Sequence, residues 1–351
     1  MTVPPPPSLA VIGRRVADRI DALLAEEQER WTAVDGGLAE PFAALRSFIA
    51  GGKRLRPAFC HWGWVGAGGD GDDQAVVDAG AALELLHAFA LLHDDIMDNS
   101  ARRHGGPCVH VDFAARHRAR GWRGEPRRFG DGAAILTGDL AFVYADQLLR
   151  GAPAAALDVF TELRLEVNVG QYLDLVGTAS GTATPEQAHT ICVYKSGKYT
   201  IERPLHLGAA LAGRLDDLAK AYTAYGVPLG EAFQLRDDLL GAFGDGAQLG
   251  KAVGEDLRDG KPTALYALAR TRATAAGGRL LADRFGHADL GAEEIAAIQE
   301  VFVATGARAA VEERVETLVA EALGALAEAP VPDPVRVELA ALAAFVAGRD
   351  H

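Results

Sequence analysis

Apolar residues recur at spacings of three and four along almost the whole of this chain, and that regularity restricts what it can fold into. Val16–Glu29, Ala75–Leu92, Ala133–Leu149, Ala154–Leu175, Leu218–Phe243, Thr263–Phe285 and Ala307–Leu326 all carry the pattern on an alanine-rich background. Such spacing lays a continuous apolar stripe along a helix. Several segments are apolar on more than one face, as helices in the middle of a bundle are. Strand signals are nearly missing: β-branched alternation is rare and no Asn-Gly pair marks a hairpin. The expected fold class is all-α, with residues 1–351 forming a single large helical domain. Gly66–Asp73, the arginine-dense Arg116–Gly132 and Pro330–Pro334 read as loops. Residues 1–10, with the run Pro4–Pro7, read as a flexible start that lacks the regions of a secretory signal.

Composition narrows the function classes. The net charge is −13, which disfavours nucleic acid as a partner, because phosphate backbones recruit basic surfaces. Cys60, Cys108 and Cys192 are few, odd in number and scattered, which points to a reducing compartment and away from a disulfide framework. Apolar runs are broken by Gly, His or charge well short of the roughly 18 residues that a membrane span needs. A cytoplasmic protein without a stable membrane anchor is expected.

The strongest chemical signal is His93-Asp94-Asp95-Ile96-Met97-Asp98, at the end of a long apolar segment. On a helix Asp94 and Asp98 are four apart, on one face and about 5–6 Å from each other. Two carboxylates so placed can share hard cations, which take oxygen ligands at roughly 2.0–2.1 Å. Asp95 is turned about 100° away and supports the site from the side. Alone, this cluster also reads as a solvated helix end. A second one, Gln234-Leu235-Arg236-Asp237-Asp238, closes another apolar segment. Two such ends can face each other across a cavity and hold Mg²⁺ with a diphosphate, since Mg²⁺ is commonly bound by a few carboxylates plus substrate phosphates.

Cations for the phosphates stand in three places. Gly51-Gly52-Lys53-Arg54-Leu55-Arg56-Pro57 is a glycine-led basic turn without the spacing of a phosphate-binding P-loop. Arg102-Arg103-His104 follows the first acidic cluster, and Tyr194-Lys195-Ser196-Gly197-Lys198 lies between the two. Each alone reads as surface charge. Together, in register with two acidic helix ends, they require anionic substrates.

These motifs, with Glu84-Leu-Leu-His87 and Gly170-Gln-Tyr-Leu-Asp174, make the chain resemble the trans-type isoprenyl diphosphate synthases of the polyprenyl synthetase family. The resemblance runs through motifs from about Phe42 to Lys261 and is nearest to bacterial geranylgeranyl diphosphate synthases. It implies a helical bundle of the isoprenoid synthase type around a central apolar cavity, working as a homodimer. It further implies that Lys53, Arg56 and His87 grip isopentenyl diphosphate, and that Asp94, Asp98, Asp237 and Asp238 hold Mg²⁺. Three ions are implied per active site, with Mn²⁺ able to substitute. Arg103, Lys195, Ser196, Gln234, Lys251 and Lys261 would surround the diphosphate of the allylic substrate, which is dimethylallyl, geranyl or farnesyl diphosphate.

Two departures from the family pattern stand out. His104 occupies the place of a second arginine for isopentenyl diphosphate, and a neutral imidazole holds phosphate more weakly than a bidentate guanidinium. Either Arg102 reaches in or His104 does the work. Gly241 stands where the last aspartate of the second motif often sits, with Asp245 as a substitute further out.

The implied reaction needs no Ser-His-Asp or Cys-His set. A metal-neutralised allylic diphosphate departs, the double bond of isopentenyl diphosphate attacks the cation, and a proton is lost. Chain length is implied by Phe89 and Ala90, five and four residues before Asp94. An aromatic only at the deeper position implies a twenty-carbon product, with farnesyl or longer polyprenyl diphosphate synthesis as the alternative. A terpene cyclase or a non-catalytic synthase subunit is the further alternative. Asp237-Asp238 with Lys53 and Arg56 speaks against the cyclase, and the presence of both acidic motifs speaks against the subunit.

Overall fold

The computed structural model describes residues 3–103, 105–181, 184–244 and 254–348. Helices α1 (Pro7–Thr32), α2 (Ala39–Ile49), α3 (Leu55–Gly66) and α4 (Gln74–Met97) come first. Two short strands follow, β1 (Arg102–Arg103) paired antiparallel with β2 (Gly106–Pro107). Next are α5 (Val109–Ala119), α6 (Pro126–Leu148), α7 (Ala154–Ser180) and α8 (Pro185–Ile191). A π-helical segment, Cys192–Glu202, leads into α9 (Arg203–Leu211) and α10 (Leu215–Phe243). The chain continues through α11 (Glu255–Asp259), α12 (Ala264–Arg272), α13 (Ala275–Arg284), α14 (Ala292–Ala304), α15 (Ala307–Ala327) and α16 (Asp333–Ala347). The all-α expectation holds.

Helix α4 is central. It packs on α1, α3 and α6, and Ala79, Ala81, Ala82, Leu83, Leu85 and Leu86 are fully buried. Its start is capped by the Asp73 side chain, which accepts from Ala75 N at 2.8 Å. Its end is marked by Asn99 in the left-handed region (φ 53°), a conformation Asn tolerates at helix ends. By length and composition α4 could cross a membrane, but 67% of its apolar stretch is buried inside the bundle. Glu84 and His87 interrupt the apolar run in the sequence, but Glu84 is buried within the bundle and His87 faces the cavity. An apolar helix of this kind is explained by neighbours around it; Asp78 and Glu84 are paired with Arg19 and Arg54, and a cluster of three carboxylates, Asp94, Asp95 and Asp98, stands at its C-terminal end.

Three expectations are corrected. The start is not flexible from Pro7 on: Pro7 opens α1, as a residue with fixed φ does well at the first helical position. Leu9 is buried there, and Ser8 Oγ donates to Glu338 Oε2 at 2.7 Å. Thr263–Phe285 is two helices, because the Thr274 hydroxyl accepts from Gly277 N and starts a new one. Most of Arg116–Gly132 is helical. Arg116 and Arg118 belong to α5, and Arg127 and Arg128 to the first turn of α6, where the Glu125 carboxylate accepts from both amides.

Candidate active site

The acidic end of α4 opens on a cavity of about 730 Å³. Glu84, His87, Ala88, Leu91 and Asp94 line it. Their spacing of three and four makes them one face of α4. Gln234, Asp237 and Asp238 of α10 line the same cavity, with Lys53 and Arg56 of the basic turn. Arg103, Lys195, Ser196 and Lys261 complete the charged lining. Residues expected from separate stretches of sequence are thus brought together.

Asp94 is the hub. Lys195 Nζ lies 3.2 Å from Asp94 Oδ1 and 2.7 Å from Asp174 Oδ2, and Gln171 Nε2 donates to Asp94 Oδ1 at 2.9 Å. Lys261 Nζ is 3.1 Å from Asp98 Oδ2. Burial would raise the Asp94 carboxyl, but the charges of Lys195, Lys261 and Arg103 outweigh it and hold it at about 2. Asp98 goes the other way: burial, helped by Asp94 and opposed by Lys261, raises it. Asp95 is buried and holds Arg103 through Nε at 2.8 Å and Nη2 at 2.7 Å. That pair fixes where Arg103 enters the cavity. Among the described residues no three acidic, His or Cys side chains are grouped to hold a metal by themselves. Asp94 and Asp98 are occupied by lysines instead.

The π-helical segment sets Lys195 in place. A Cβ on Gly170 of α7 would lie 2.3 Å from Lys195 N, and one on Gly230 of α10 would lie 2.4 Å from Gly197 O. Only glycine at both positions lets the two helices close on this backbone. The widened turn, a geometry frequent at functional sites, turns Lys195 and Ser196 into the cavity while Lys198 pairs with Glu166.

Tyr199, from the same segment, ties two candidate ligands together. Its hydroxyl is 3.2 Å from His87 Nδ1, and the Arg56 guanidinium lies over its ring, 4.2 Å from the centroid. Arg56 Nη2 donates to Thr200 Oγ1 at 3.0 Å. Arg56 Nε is buried without a hydrogen-bond partner among the described residues.

On the opposite wall, Gln234 Nε2 donates to Asp238 Oδ1 at 2.7 Å. Burial dominates at Asp238 and, with the nearby Asp256 and Asp237 and against the Gln234 bond, pushes its carboxyl up to about 8.

Some expected residues fall elsewhere. His104, Lys251 and Asp245 lie outside the described residues. Arg102 is exposed and donates to Gly105 O. Phe89 and Ala90 do not line the cavity. Phe89 packs against His93 and Phe142 of α6, with ring centroids 4.5 and 4.8 Å away. Position 89 is rotated about 100° from the Ala88 face. Tyr199, Thr200 and Asp256 are site residues that the sequence does not point to, and Gln171 stands there only as part of the Gly170–Asp174 motif. Asp174 was noted only as part of a motif, and nothing in a single sequence showed that it pairs with Lys195.

The sequence profile of the polyprenyl synthetase family matches residues 40–302. A geranylgeranyl pyrophosphate synthase from Corynebacterium glutamicum, solved with isoprenyl diphosphate and magnesium, has the same fold with a TM-score of 0.92. It is 39% identical, over 97% of this chain and 99% of that one. A geranylgeranyl diphosphate synthase of Sulfolobus acidocaldarius is 35% identical over 231 residues, 64% of each chain. A short chain isoprenyl diphosphate synthase of Methanothermobacter thermautotrophicus is 33% identical over 316 residues, 88% of this chain and 90% of that one. Fold and site define an isoprenoid-type synthase of the all-α class. The chain belongs to the polyprenyl synthetase family and is a trans-prenyltransferase.

Proposed function

We propose that this enzyme joins isopentenyl diphosphate to an allylic diphosphate in a Mg²⁺-dependent reaction, with geranylgeranyl diphosphate, twenty carbons long, as the main product. One observation carries the reading: carboxylates of α4 and α10 and cations from four separate stretches line one cavity. Its oxygen-rich donor set fits a hard cation. Asp94, Asp98, Asp237 and Asp238 would hold Mg²⁺, which when bound neutralises the departing diphosphate.

The chain's own residues do the rest. Lys195 and Lys261, paired with Asp94 and Asp98, stand beside the carboxylates that would hold the metal and would donate to the allylic diphosphate there. Lys53, Arg56 and His87 hold isopentenyl diphosphate, and the unpartnered Arg56 Nε is a donor left over for a phosphate oxygen. The allylic C–O bond breaks with its electron pair on the diphosphate. The double bond of isopentenyl diphosphate then forms the new C–C bond, and a proton leaves to the departing diphosphate. Phe48, Ile49, Leu91 and Phe233 on the cavity wall keep water from the cation.

The twenty-carbon product is supported by the names of the relatives and by the small Ala90 beside the Phe89–Phe142 pair. Because Phe89 and Ala90 lie outside the cavity lining, the tail would have to part α4 from α6 to pass Ala90 and stop at that pair. A homodimer is supported by Leu165, Val169, Tyr172 and Val176, exposed at spacings of four, three and four on α7. Three buried, unpaired cysteines support work in the cytoplasm. The test is incubation of labelled isopentenyl diphosphate and Mg²⁺ with dimethylallyl, geranyl or farnesyl diphosphate, followed by product sizing. A twenty-carbon product is expected. No product with any starter overturns the activity, and another length overturns only the ruler.

A further inference from the structure

Helix α10 carries Asp237 and Asp238 but has Gly241 one turn further on. A carboxylate there would share their face, because residues three and four apart are neighbours on a helix. The place is taken from outside the helix. A Cβ on Gly241 would lie 1.8 Å from Asp256 Oδ2 and 2.7 Å from Asp256 Cγ. The Asp256 carboxylate, carried by the short α11, thus fills the volume that a side chain at 241 would use. It lines the same cavity as Asp237 and Asp238.

Resting on the function proposed above, we infer that Asp256 is the third carboxylate of the second acidic group, facing the metal–diphosphate complex, and that Gly241 is the void that admits it. A plainer role, as counter-ion to Lys261, accounts for less. Asp256 Oδ1 is 3.9 Å from Lys261 Nζ, whereas Asp98 Oδ2 is 3.1 Å away, so Asp256 acts on Lys261 through its charge without taking the place of its hydrogen-bonded partner. A counter-ion role also gives no reason for the missing side chain at 241. The two positions complement each other: the oxygen donor is kept while its attachment moves from α10 to α11.

Gly241→Ala separates position from charge. Alanine favours a helix interior by up to about 1 kcal/mol over glycine, and the atom it meets is the end of a side chain that can rotate away. The fold is therefore kept, every carboxylate remains, and Asp256 is displaced. Asp256→Asn keeps the shape and removes the charge. Mn²⁺ binding is followed by electron paramagnetic resonance with inorganic pyrophosphate as the probe anion, and thermal melts without metal check the fold. Both variants are expected to weaken Mn²⁺ binding about 10–100-fold, the usual range for residues that support a metal site, with no fall in the metal-free Tm. The double variant Gly241→Asp with Asp256→Ala, which returns the carboxylate to α10, is expected to recover most of the loss. Wild-type affinity in Asp256→Asn would overturn the inference, and wild-type affinity in Gly241→Ala alone would overturn the role of the void. Asp94→Asn is run alongside: if it too binds as wild type, the reading of the whole site fails, not only that of Asp256.

Discussion

Arg54 lies in the left-handed backbone region (φ 53°, ψ 34°), and its guanidinium is ion-paired with Glu84 of α4. A second nitrogen donates to Ile49 O, the carbonyl at the end of α2. For a residue with a Cβ this backbone costs roughly 1–2 kcal/mol and persists only where the surroundings fix it. Here they do, because both partners are nearly buried, at 11% and 5% side-chain exposure. The pair clamps the turn from which Lys53 and Arg56 reach the cavity, so Arg54 is a positioning residue. Arg54→Ala or Glu84→Gln is expected to destabilise the fold by about 3–5 kcal/mol, because each leaves a buried charge unpaired. Denaturant melts measure this, and the two losses should be far from additive in the double variant. In whichever single variant still folds, KM for isopentenyl diphosphate should rise more than the allylic KM.

Asp94→Ala and Asp237→Ala are expected to fold and to lose turnover by orders of magnitude. Removing Asp94 leaves Lys195 still paired with Asp174 at 2.7 Å, so no buried cation is orphaned. Product formation at saturating Mg²⁺, with a melt as control, checks both. Near-full activity in either would place the metal elsewhere.

A pH dependence follows from Asp238. Its carboxyl is raised to about 8 in the folded, metal-free protein. Between about pH 4 and pH 8 the unfolded chain has lost this proton while the folded chain keeps it. Stability is therefore highest at the acid end of that window and falls as pH rises through about 8. Metal binding has to displace the same proton, so metal affinity should increase with pH over this range. Asp238→Asn is expected to flatten its share of the stability slope, measured as metal-free Tm at pH 5 and pH 8. An unchanged slope would show that Asp238 is ionised throughout.

Product length should respond to both members of the aromatic pair. Ala90→Phe should shorten the product to fifteen carbons. Phe89→Ala and Phe142→Ala should each extend it beyond twenty, since either removes half of the pair whose centroids are 4.8 Å apart. Unchanged product size in all three would place the floor elsewhere.

Helical periodicity, the two acidic helix ends and the basic stretches were legible in the sequence because each is a local pattern. Spacing along one helix decides which side chains share a face, and that needs no knowledge of neighbours. Family resemblance then supplied roles for residues on separate elements. What the sequence alone left undecided depends on elements far apart in the chain. Gly241 looked like a lost ligand until α11 placed the Asp256 carboxylate in its void. Asp174 and Lys195 meet only because Gly170 lets α7 close on the π-helical segment. Phe89 could be counted back from Asp94, but its pairing with Phe142 depends on how α4 is packed against α6. Local spacing determines faces; packing between distant elements determines what those faces meet, and at this site the charge pairs and the voids are settled by that packing.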